Sequence, residues 1–178
     1  MNNDNHNALK IANFFIDKAK QEKIKDLTCL KLNNLSYIAY GFCLAYDIEL
    51  FDDKIEAWDN GAVVPVIYHE FKHHIASHIK DYGYITNFQD DIIDKKYIPV
   101  FIFNKENKQL QSILDLVWRT YKNNSGLYLK SLTNQNGTPW NKSIITGNKI
   151  IYKDLIKKYY YEFITINFKI NNICKQCK

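Results

Sequence analysis

Apolar residues spaced three and four apart recur along this sequence, and they predict a mainly α-helical fold: a single compact helical domain of about six helices with one or two short extended segments. Helix-start residues reinforce the pattern, with Thr28 placed to cap one run and Pro65 placed to open another. No internal repeat, long linker or low-complexity tract divides the 178 residues, so one core is expected to serve the whole domain.

The first helix is expected over residues 7–23, where Ala8, Ile11, Ala12, Phe15, Ile16 and Ala19 share one face. Thr28 caps the second, in which Leu32, Leu35, Ile38, Ala39, Phe42 and Ala45 face inward; this strongly apolar helix is assigned to the middle of the core. Residues 47–51 then lead through the acidic turn Asp52-Asp53 into a block around Trp58. A third helix is expected from Pro65 to about Lys80, because proline suits a first helical turn. Residues 82–102 are the least regular part, with 97–102 as a short strand or extended segment. A fourth helix covers 107–121, with Leu110, Ile113, Leu114, Val117 and Trp118 on its core side. Asn123-Asn124-Ser125-Gly126 ends it, and a short fifth helix follows at 127–132. Asn136-Gly137-Thr138-Pro139 reads as a turn whose loop Trp140 pins to the core. The last helix covers 152–166, with Leu155, Ile156, Tyr159, Tyr160 and Phe163. The domain is thus expected to occupy 1–166, with 167–178 as a C-terminal tail.

A hydrophobic share of 46% and an aromatic share of 15% exclude a wholly disordered chain. No apolar run reaches the roughly 18 residues that span a bilayer, so no membrane partner is expected. Residues 1–6 have neither the basic region nor the apolar core of a secretory signal, and a cytoplasmic location is expected. The net charge of +5 raises the question of nucleic acid. Arg119 is the sole arginine among 24 basic residues, and the acidic pairs Asp52-Asp53 and Asp90-Asp91 interrupt the lysines. Arginine supplies the bidentate contacts of specific readers, so direct sequence-specific recognition is not expected.

Cys29 and Cys43 fall inside an apolar helical pattern and read as buried thiols. Cys174 and Cys177 form a lone Cys-x-x-Cys, half of a zinc site. It is read either as an inert tail or as a clip completed by another chain or by distant histidines.

The sharpest chemical motif is His69-Glu70-Phe71-Lys72-His73, a literal His-Glu-x-x-His. On a helix His69 and His73 would share a face, and Glu70 could act as general base on a zinc-bound water. Lys72 is charged where the helix of a zinc peptidase is buried, and Ala76 and Ile79 occupy the metzincin Gly and His positions. Asp90, Asp91 or Asp94 would have to supply the third ligand. A solvated, histidine-rich helix face including His74 and His78 is the alternative reading. No nucleophile elbow, Walker loop or dinucleotide fingerprint occurs, and the chain is expected to be no enzyme, with no cofactor and no bound metal.

Three blocks carry a family resemblance. Leu30-Lys31-Leu32-Asn33-Asn34-Leu35-Ser36-Tyr37 resembles a Leu-Lys-Leu-Gln-Lys-Leu-Leu-Tyr helix, the segment Ile55 to Lys72 carries Trp58, Gly61 and Tyr-His-Glu-Phe-Lys, and Leu132-Thr133-Asn134 to Pro139-Trp140 resembles a Leu-Thr-His…Pro-Trp signature. In order and spacing they resemble the SocA-like antitoxin family, whose module is also called the Panacea domain, over roughly residues 8–165. Ala62 stands where that family has Pro in Gly-Pro-Val, Asn34 where it often has Lys, and Asn134 where it commonly has His. The resemblance implies an antitoxin of bacterial or phage origin that neutralises a cognate toxin by direct binding, in one mode as an adaptor to a AAA+ protease. Trp58, Gly61, Tyr68 and Trp140 are the candidate partner-binding residues, since Trp and Tyr are favoured interface anchors. A zinc-dependent hydrolase on His69, Glu70 and His73, and a DNA-binding regulator, are the alternatives.

Overall fold

The computed structural model describes residues 8–89, 92–97 and 108–176, with side chains described over 8–84 and 108–166. The fold is mainly α. Helices α1 (Ala8–Gln21), α2 (Cys29–Ala45), α3 (Pro65–Phe71), α4 (Lys108–Tyr121), α5 (Gly126–Thr133), α6 (Pro139–Ile145) and α7 (Lys153–Gln176) are joined by two antiparallel hairpins, β1 (Glu56–Trp58) with β2 (Gly61–Val63) and β3 (Tyr84–Gln89) with β4 (Ile92–Tyr97).

The centre is α2, which packs against α1, α3, α4, α5 and α7. Thr28 caps it as the sequence indicates, its side chain accepting from Lys31 N. Leu32, Leu35, Ile38 and Ala39 are buried, but so are Lys31, Asn33, Asn34 and Ser36 on its other faces. A helix enclosed on all sides has no solvated face, so it shows no amphipathic stripe and its polar residues need partners inside the protein. Lys31 reaches Asp26 at 2.8 and 2.9 Å and the Lys122 carbonyl at 2.6 Å. Trp118 of α4 is buried, stacks on Phe15 and donates its indole N–H to Glu22. Cys29 and Cys43 are buried free thiols, as the apolar pattern indicates.

Five elements differ from the sequence reading, and the first is the β3–β4 hairpin, which occupies most of the stretch expected to be least regular. The third helix does not reach Lys80: α3 stops at Phe71 and a 3-10 turn, Lys72–His74, replaces its continuation. The chain has to swing inward so that buried Ile79 can donate its N–H to Leu27 O, at 2.8 Å, and a straight helix would carry it away. The residues around Trp58 form a hairpin, closed at Asp59-Asn60 and completed by Gly61 at φ +137°. Residues 136–137 form the turn that the sequence indicates, and a helix absent from the sequence reading starts directly after it: Thr138 caps α6 by accepting from Asn141 N, and Pro139 takes the first turn. Finally, α7 continues past residue 166 to Gln176, so ten residues assigned to a tail are helical. The extended segment expected at 97–102 lies outside the described residues except for Tyr97, which ends β4.

Candidate functional site

The β1–β2 hairpin is held on both edges. On the outer edge of β1, Ala57 N donates to Lys149 O at 2.8 Å and Ile151 N donates to Ile55 O at 2.9 Å. On the outer edge of β2 no strand pairs among the described residues. Instead the Asn33 amide, projecting from α2, donates to Ala62 O and accepts from Val64 N, both at 2.9 Å. One side chain thus reproduces the donor–acceptor pair that a third strand would offer. This explains why an amide interrupts an otherwise apolar helix.

A second amide network ties the hairpin to α5. Thr133 Oγ1 donates to Asn34 Oδ1 at 3.0 Å, and the Asn134 side chain donates to Asn60 O at 3.3 Å. The Asn134 amide lies where a β-carbon at Gly61 would meet it at 3.0 Å, so Gly61 answers both a left-handed backbone and a close neighbour. Behind the hairpin, Trp140 Nε1 donates to Trp58 O at 2.8 Å. In front, the Trp58 ring meets Tyr68 edge-on at 4.9 Å, and its indole N–H donates to Glu56 at 2.6 Å. Of the four residues singled out in the sequence, Trp58, Gly61 and Tyr68 share one wall, and Trp140 supports that wall from behind.

That wall borders a groove of about 570 Å³ between the start of α2, the hairpin, Tyr68, Ile75 and the start of α5. Its floor includes Cys29, Leu30, Asn33 and Ala62, and its far rim carries Leu127 and Lys130. Leu127 is 71% exposed and Ile75 is 63% exposed, large apolar side chains left in water beside half-buried Trp58 and Tyr68. Ile75, Leu127, Lys130 and the latching amides Asn33 and Asn134 were not among the candidate site residues read from the sequence. The amides Asn33 and Asn34 inside an apolar helix were the available signal. Leu127 and Ile75 carried none, because single apolar residues at helix ends are common on surfaces.

The His69-Glu70-x-x-His73 segment does not form the helix face its spacing suggests. His69 lies on α3 and His73 on the 3-10 turn beyond it. Glu70 accepts the Tyr84 N–H at 2.9 Å, His69 approaches the edge of Trp58 at 6.3 Å, and the His73 and His74 rings lie 4.3 Å apart. Among the described residues no three His, Cys, Asp or Glu side chains group to hold a metal ion. Asp90, Asp91 and Cys177 lie outside the described residues, and for Asp94 and Cys174 only the backbone is described. Burial raises the Cys29 thiol to about 11 and the Cys43 thiol to about 12, which suppresses the nucleophilic thiolate at neutral pH. Among the described residues no helix is long and apolar enough to cross a membrane.

Fold and site define a small helical domain with an aromatic-walled, preorganised groove. The chain belongs to the antitoxin SocA-like, Panacea-domain family, whose model matches residues 32–141, more than half of the chain. The match spans Asn33, the hairpin, Tyr68, the start of α5 and Trp140, so it covers most of the groove lining and its supports. No curated protein and no solved structure matches the chain.

Proposed function

We propose that this protein is the antitoxin of a toxin–antitoxin pair and neutralises its toxin by binding it directly through the groove beside Trp58. Family membership supports the antitoxin role. The observation that carries the binding surface is the groove itself: Trp58, Tyr68, Ile75 and Leu127 present apolar area around one concavity of about 570 Å³. Solvated aromatic and aliphatic anchors around a concavity are what a protein interface covers, since a few such residues supply most of its energy. Trp58, Ile75 and Leu127 lie outside the hydrophobic core and half-buried Tyr68 only borders it, while Trp118, Phe15 and Phe51 are fully buried within it. Asn33, Asn134 and Trp140 hold the hairpin before any partner arrives, which lowers the ordering cost of association.

The experiment is co-expression with the product of the adjacent open reading frame. That product alone is expected to arrest growth, the pair to restore it, and the two proteins to co-purify. A harmless neighbour that never co-purifies overturns the antitoxin reading.

A further inference from the structure

We propose that the groove receives an amphipathic helix of the toxin, seated by its apolar face and carrying a carboxylate opposite Lys130; this rests on the antitoxin reading above. Two arguments single out that occupant.

The first is that the hairpin has no edge to lend. A partner adding a strand needs free backbone donors and acceptors along a sheet edge. The outer edge of β1 already pairs with Lys149 and Ile151. On the outer edge of β2, Ala62 O and Val64 N are occupied by Asn33. A segment entering a groove without ladder partners has to satisfy its own backbone, and a helix does so through its internal hydrogen bonds. Its apolar stripe can then meet Trp58, Tyr68, Ile75 and Leu127, with anchors at helical spacing.

The second is charge. Asp26 and Lys130 are the charged residues lining the groove. Both Asp26 oxygens are engaged by the buried Lys31 ammonium, which neutralises them. Lys130 makes no ion pair among the described residues. The groove therefore offers one uncompensated positive charge at its rim, and a carboxylate on the border of the incoming apolar stripe complements it.

The test uses full-length protein and the adjacent-frame product, with affinity read by calorimetry. Leu127→Asp and Lys130→Glu alter exposed or half-exposed side chains, and circular dichroism checks their folding. Each is expected to weaken binding about tenfold or more. Leu116→Asp, on the exposed side of α4, is the control and is expected to bind as the unaltered protein does. Hydrogen exchange on the complex then locates the protected toxin segment, expected to be helical, and reversing its acidic residue to Lys is expected to restore binding to Lys130→Glu. If the complex forms but both groove variants bind normally, the groove proposal is overturned while the antitoxin reading stands. It is equally overturned if the protected toxin segment is a β-strand. If no complex forms, the antitoxin reading fails and takes this inference with it.

Discussion

Trp140 Nε1 donates a hydrogen bond to the Trp58 carbonyl at 2.8 Å, joining positions 82 residues apart. The indole that opens α6 thereby fixes the strand that carries the groove's aromatic wall. Trp140→Phe keeps most of the apolar ring and removes the donor. It is expected to lower unfolding free energy by about 1 kcal/mol in urea titrations, the usual net worth of one such bond. Trp58 fluorescence is expected to report a looser environment before global unfolding.

Asn33 is the more demanding position. Replacing it with Leu conserves approximate volume but strips partners from Ala62 O and Val64 N, both buried. With two backbone groups orphaned, a loss of about 2–4 kcal/mol is expected. Hydrogen exchange should show the Val64 amide losing protection first. An unchanged denaturation midpoint would contradict the strand-surrogate role.

Two glycines separate steric from conformational cost. A β-carbon at Gly41 would sit 2.2 Å from the Tyr160 ring, which is buried between Tyr37 and Phe42. Gly41→Ala forces α2 and α7 apart, and a loss of about 1–3 kcal/mol is expected, as for other overpacked cores. Gly137, at φ +84°, has nothing within 4 Å of the added carbon, so Gly137→Ala is expected to cost only about 1 kcal/mol of backbone strain. Thermal denaturation of the two variants side by side checks the order.

Glu22 gives the fold a pH-dependent tie. Hydrogen bonds from Lys122 and then from the Trp118 indole hold its carboxyl below the ordinary value of 4.5. Because the folded value is depressed, the stabilisation is present above 4.5 and is lost as pH falls through the folded value. Glu22→Gln is expected to be less stable than the unaltered protein at neutral pH, and that difference is expected to shrink below pH 4.5. Urea midpoints measured across that range test it.

The helices were legible because their signals are local. Thr28 and the apolar density of 29–45 identify α2, and the spacing of Leu110, Ile113, Leu114, Val117 and Trp118 identifies α4. The end of α3 was not legible, since the segment after Phe71 keeps a helix-compatible composition; only the demand that Ile79 reach Leu27 cuts the helix short. The cap of α6 was legible in principle, because Thr138-Pro139 is a helix start, but the real turn at Asn136-Gly137 just before it drew all four residues into one turn reading.

The sequence by itself determined the mainly helical class, the central place of α2, the burial of Cys29, Cys43 and Trp118, and the blocks that mark the family. Each rests on neighbouring residues or on hydrophobicity, which act at short range along the chain. Only the tertiary structure decided what the polar residues inside those blocks do. Asn33 answers to Ala62 and Val64, Asn134 to Asn60, and Trp140 to Trp58. Hydrogen bonds are directional and short, so partners distant in sequence become defined only once packing has set the elements side by side. The groove follows from the same packing, because it is the space those latched elements leave open between α2, the hairpin and α5.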